Sequence, residues 1–151
     1  MSLALLAVTA VMATSTVAQT VSDCDWRAST AALVEPWEQH SKTYSKGAVR
    51  VALLDTVEPA AGAYHVLVLS PPFNELGERQ CKVISFDGTM GFAGAYFEDI
   101  DAGYDPATGL MVSIPVQIYL PEENFSNGAL LRFTLNQITG EITPRLDLGR
   151  D

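Results

Sequence analysis

The densest run of side chains that could do chemistry is Glu98-Asp99-Ile100-Asp101-Ala102-Gly103-Tyr104-Asp105. Carboxylates at 99, 101 and 105 alternate as a calcium loop's oxygen ligands do. The match is partial. Counted from Asp99, glycine occupies the fifth place where a calcium loop has it sixth, and Leu110 holds the twelfth, where a bidentate acid belongs. Asp99, Asp101 and Asp105 are therefore a candidate site for a cation or a basic partner, with a solvated acidic loop as the plainer alternative. No metal or cofactor is assigned beyond this calcium candidate.

The histidines offer less. His40 and His65 are the only two, and neither His-Glu-x-x-His nor Cys-x-x-Cys occurs, so zinc lacks ligands at workable spacing. A Gly-x-Ser-x-Gly nucleophile elbow is missing too. His65 lies in Tyr64-His65-Val66-Leu67-Val68-Leu69, a strand interior in which a histidine is structural more often than catalytic. His40, in Glu38-Gln39-His40-Ser41-Lys42, reads as solvated. No catalytic residue is assigned. The enzyme alternative is a small hydrolase using His65 with Asp55 or another acid across the first hairpin. Gly88-Thr89-Met90-Gly91 lacks the lysine and the glycine spacing of a phosphate loop.

The two cysteines, Cys24 and Cys81, are 57 positions apart. In an oxidising compartment they should pair and tie the N-terminal segment to the rest. Export is indicated by the first residues: 1–22 carry no charge, and Leu3 to Ala13 is apolar except for Thr9, long enough for a signal peptide and too short to span a bilayer. The n-region, Met1-Ser2, lacks the usual lysine or arginine. Thr16 and Ala18 suit a cleavage site, which divides the chain into a signal peptide, 1–18, and a single globular domain, 19–151. A secreted or periplasmic protein follows, with no membrane insertion after signal removal.

The elements that must position these residues are mainly strands. Trp26, Thr30, Leu33 and Trp37 follow helical spacing, predicting a helix over about 25–35 that ends or kinks near Pro36. The two tryptophans should pack on the core. Strands are expected near 48–57, 63–69, 80–86, 90–97, 110–120, 129–135 and 141–146, the clearest having Leu110, Val112, Ile114, Val116 and Ile118 on one face. Pro115, on its other face, places that strand at an edge or at a bulge. Asp105-Pro106-Ala107-Thr108-Gly109 and Asn136-Gln137-Ile138-Thr139-Gly140 share a turn pattern closed by a left-handed glycine. Short connections favour antiparallel neighbours. The expected fold is α+β, mainly β: an antiparallel meander of about seven short strands with one N-terminal helix packed on it, or alternatively a β-sandwich or barrel-like closure.

Net charge narrows the partners. With 18 acids and 9 bases among 151 residues the chain carries −9, which opposes nucleic acid and anionic membrane surfaces. The excess sits between Lys82 and Arg132, where seven acids occur with no Lys or Arg. If Glu98 to Asp105 and Glu122-Glu123 gather at one end of the sheet, that end would draw a cation or basic partner. Asn124-Phe125-Ser126 is a formal glycosylation sequon. The function expected is an exported non-catalytic module binding a protein or small-molecule partner through a sheet face, edge or loop cluster. A structural envelope component is a further option. An interior pocket lined by Tyr64, Phe86, Phe92, Ile114 or Phe133 would mark a ligand carrier, an open cleft at His65 an enzyme, and a filled core a protein-interaction domain.

Overall fold

A computed structural model describes residues 19–149; the expected signal peptide, 1–18, lies outside the described residues. Ten strands form two antiparallel sheets. The first contains β1 (Thr20–Asp23), β2 (Ser41–Tyr44), β3 (Val49–Asp55), β4 (Tyr64–Phe73) and β5 (Arg79–Ser85), in the order β1-β5-β4-β3-β2. The second contains β6 (Gly94–Ala95), β7 (Asp101–Asp105), β8 (Gly109–Leu120), β9 (Phe125–Leu135) and β10 (Ile142–Leu148), in the order β10-β9-β8-β6, with β7 also pairing β8. β2 to β5 and β7 to β10 are meanders, as their short connections require, whereas β1 pairs β5 at the opposite edge from β2 and the chain crosses the sheet between them.

The two sheets face each other across one core, the sandwich arrangement named as the alternative. Val49, Val51, Leu53, Val66, Val68 and Ile84 of the first sheet pack against the alternate residues Leu110 to Ile118 of β8 and Leu131, Phe133 and Leu135 of β9. Period-two burial is why these faces were legible beforehand. Phe92 marks the crossing between sheets: its backbone exchanges hydrogen bonds with Tyr64 of β4, and the next amide, Ala93, donates to Gln117 of β8. Pro115 is not at an outer edge. Its carbonyl accepts from Tyr96 in the gap between β6 and β7, so the side of β8 on which proline lacks a donor faces a break in the ladder.

The helix expected over 25–35 is replaced by a strap across the outer face of the first sheet. It makes two short 3-10 turns, Trp26–Ala28 and Thr30–Ala32, separated by extended Ser29. Tertiary hydrogen bonds outcompete the local helix: Cys24 N donates to Cys81 O and Val34 N to Leu53 O, and Leu33 bridges Leu54. Ala32 is buried with Ala52, Leu54, Leu67 and Val83 in a second, smaller core beneath the strap. Trp26 and Trp37 do not pack inside; they are 64% and 55% exposed. Among the described residues only Trp37–His40 forms an α-helical turn, α1.

The Cys24–Cys81 disulfide is formed, with Cα atoms 5.4 Å apart, and it anchors the strap to β5. No helix of the described residues is long and apolar enough to cross a membrane. Both features are compatible with a secreted or periplasmic protein. The paired turns close as their sequence predicts. Asp105 Oδ1 accepts from Ala107 N, Asn136 Oδ1 accepts from Ile138 and Thr139 N, and Gly109 and Gly140 adopt φ of +93° and +79°.

Candidate functional site

His65 and the acidic segment fall in different surroundings from those their sequence suggested. On β4, His65 lies opposite Leu54 while Asp55 lies opposite Tyr64, so His65 and Asp55 point to opposite faces of the first sheet. The hydrolase pairing is not assembled. His65 turns instead toward the strap, 1% exposed, with Gly91 close against its ring.

There it joins a buried polar cluster. The Asp25 carboxylate takes a forked pair of bonds from Arg27, Nε at 2.9 Å and Nη2 at 2.8 Å, and also caps the 3-10 turn through Arg27 N. Arg27 Nη2 donates further to Ser22 Oγ, and Nη1 donates to Ser85 Oγ at 2.8 Å and to Gly88 O. All sides of the guanidinium are thereby satisfied although Arg27 is only 2% exposed. Ser85 Oγ, which accepts from Arg27, also shares a hydrogen bond with His65 Nδ1 at 2.8 Å. The other ring nitrogen, Nε2, is a buried atom with no protein partner among the described residues. Nucleophilic catalysis needs a hydroxyl that substrate can reach and a carboxylate behind the imidazole. Here Ser85 is 0% exposed and Asp25 holds Arg27. The cluster fastens the strap to the sheet.

Burial, then the charge of Arg27, lowers the pKa of His65 to about 4, against smaller upward pulls from Asp25 and Asp55. Free histidine titrates near 6.5. Between those values the unfolded chain binds a proton that the folded chain refuses, so stability falls as pH drops from about 6.5 to about 4, by on the order of 3 kcal/mol. Urea unfolding across that range should show the loss, and His65→Asn should flatten it. An equal slope in the variant would remove His65 as its cause.

The acidic run is not a loop that wraps an ion. Residues 101–105 form β7, with Asp101 opposite Ser113 and Asp105 opposite Gly109. Four residues along a strand separate the two carboxylates by roughly 13 Å, and Asp105 is engaged in its own turn. Asp99 ends the 3-10 turn Phe97–Asp99. Among the described residues no group of three or more His, Cys, Asp or Glu is placed to hold a metal ion. Nor do the acids gather at one end: Asp105 precedes the start of β8, whereas Glu122 and Glu123 follow its far end. His40 stays at the end of α1, its Nδ1 3.1 Å from Pro36 O. Asn124, the sequon residue, lies in the β8–β9 turn, where its Oδ1 accepts from Tyr119.

What sequence reading missed is the outer face of the second sheet. The core side chains of β8 and β9 point inward, so their alternates, with those of β7 and β10, form an open floor. One row across it reads Asp101, Ser113, Arg132, Arg145, each directly opposite the next; the adjacent row reads Gly103, Met111, Thr134, Thr143. These rows line a groove of about 550 Å³. It stays accessible, with Met111 41% exposed and the side chains of Arg132 and Arg145 at 53% and 69%. The side chains suggested for an interior pocket are packed instead: Phe92, Ile114 and Phe133 are 0 to 2% exposed.

Arg132 and Arg145 face each other on adjacent strands, a like-charge pairing that costs stability unless an anion intervenes. Asp147 intervenes. Its carboxylate accepts from Arg145 Nε at 2.7 Å and Nη2 at 3.1 Å, and lies 3.2 Å from Arg132 Nη1. The hydrogen bond from Arg145, then the charges of both arginines, outweigh desolvation and hold Asp147 below the usual carboxylate range. The only sequence signal for this site was two arginines on alternate positions of facing strands. It became readable once the β9–β10 register was known.

Fold and site together define a disulfide-anchored antiparallel β-sandwich with one sheet strapped over and the other left open. No family model, curated protein or solved structure compared with the chain matches it.

Proposed function

We propose that the chain is an exported, non-catalytic binding module that takes its ligand on the open face of the second sheet. The observation that carries this reading is the groove over β7 to β10. Its volume lies within the range of roughly 300 to 1,000 Å³ usual for small-molecule sites, and it sets the Met111 side chain and two threonine methyls beside a few convergent polar groups. The buried, strap-holding role of His65 and Ser85 leaves the enzyme alternative without support from that pair. Export to the periplasm or extracellular space is supported by the N-terminal apolar run and by the disulfide.

One preparation tests both halves. The full chain, expressed and recovered from the exported fraction, should have an intact mass that begins at Gln19. Screened by thermal shift against small amphiphiles of each charge type, it should be stabilised by at least one class. Thr134→Trp, which fills the groove from an exterior position, should abolish that shift while leaving the ligand-free melting temperature nearly unchanged. Equal shifts in the variant would place binding elsewhere, and retention of 1–18 in the recovered protein would sink export.

A further inference from the structure

The charge arrangement of the groove says more than that it is open. Two guanidiniums share one carboxylate, Asp147, so this end of the floor keeps one positive charge without a counter-charge among the described residues. Neither Arg132 Nε nor Nη2 has a hydrogen-bond partner among the described residues. The remaining Arg145 nitrogen, Nη1, has none either. Unused guanidinium N–H groups on facing strands are the donors a planar carboxylate accepts in fork geometry.

The opposite end of the same row is Asp101, two strands from Arg132, or roughly 10 Å at the usual strand spacing. Its charge opposes a second negative group there. Between and beside the charged ends lie Met111, whose thioether is exposed and adaptable, and the methyl groups of Thr134 and Thr143. From β7 to β10 the floor spans three strand spacings, roughly 14 Å. That is longer than an extended eight-carbon chain.

Resting on the binding-module reading above, we infer that the groove binds a small monocarboxylate with an apolar chain, its carboxylate on Arg132 and Arg145 and its chain over Met111. Asp147 is the stand-in for what the ligand supplies: it shows that one carboxylate can engage both guanidiniums, and it leaves donors for a second. A neutral amphiphile would gain only the apolar floor. A cationic one would meet the arginines' repulsion at one end and find only Asp101 at the other.

The test is an amide-resolved NMR titration of the mature protein with octanoate, octyl glucoside and octyltrimethylammonium. Octanoate should shift the amides of 111–113, 132–134 and 143–145 saturably and bind most tightly of the three. Arg132→Gln and Arg145→Gln, both at exposed positions, should each weaken octanoate about tenfold, as expected for loss of a charge-assisted bond, and leave octyl glucoside unchanged. Octanoate binding that is indifferent to both substitutions overturns the inference. If octyl glucoside shifts the same amides as strongly, the binding face survives and the carboxylate assignment fails. Preference for octyltrimethylammonium likewise rejects it. If no probe moves these amides, the binding-face reading falls as well.

Discussion

Asp25→Asn should destabilise the protein by roughly 3 kcal/mol, the lower end of what breaking a buried ion pair costs. The charge left behind is the reason. Arg27 is 2% exposed, and its one anionic partner among the described residues is Asp25. An asparagine there can still accept a hydrogen bond but cannot balance the buried guanidinium. The value lies at the low end because the Asp25 side chain is itself 37% exposed. The hydrogen bond from Arg27 holds the Asp25 carboxyl below its ordinary value of 3.8. Its contribution is therefore present above that pH and lost below it, beneath the window in which His65 acts. Replacing the pair together, Asp25→Leu with Arg27→Met, should recover much of the loss, since an apolar pair leaves no buried charge. Urea midpoints for the single and double variants decide it. A single variant within 0.5 kcal/mol of wild type, about the scatter of surface substitutions, would show that the strap is held otherwise.

The second large effect belongs to the disulfide. Replacing Cys24 and Cys81 together by serine should cost roughly 4 kcal/mol, the chain-entropy value for a loop of 57 residues. That loop contains the strap and β2 to β4. Without the bridge, β1 and the strap retain their hydrogen bonds to β5 but lose the covalent limit on their excursions when unfolded. The double variant should unfold at lower urea, and its strap amides should exchange faster than those of β8 and β9. A native midpoint in the serine variant would mean that the Asp25–Arg27–Ser85 cluster suffices to hold the strap.

Both predictions concern the strap, which the sequence disguised. Trp26, Thr30, Leu33 and Trp37 have helical spacing, yet spacing reports only which side chains could share a face. Whether a helix or an extended strap forms depends on competing backbone partners, and these come from β3 and β5, more than 15 residues away. Arg27 carried no warning of burial, because an arginine is buried only when distant Ser85 and Gly88 supply acceptors. The acidic run misled for a related reason. The residues of β7 are mostly exposed, and an edge strand bonded through its backbone to β8 leaves no apolar alternation to read. The same holds for β1 and β2, short strands among polar residues. Pro115 marks β8 from its sequence as an edge or bulged strand, but β8 lies inside the sheet and the missing donor falls at an interruption in the ladder. That the interruption lies between two partner strands was beyond local information.

By itself the sequence determined the mainly β antiparallel class, the inward faces of β3, β8 and β9, the two asparagine- and aspartate-led turns, and the cysteine pairing. Each is encoded within a few residues or, for the cysteines, by there being only two. Tertiary structure alone decided that Asp55 and His65 face apart, that Asp99, Asp101 and Asp105 form no ion cage, and that Arg132 and Arg145 meet across strands on an open floor. Those outcomes hang on strand register, in which a shift of one residue sends every side chain to the other face. Register is set by the whole packed core, and no local pattern in the chain carries it.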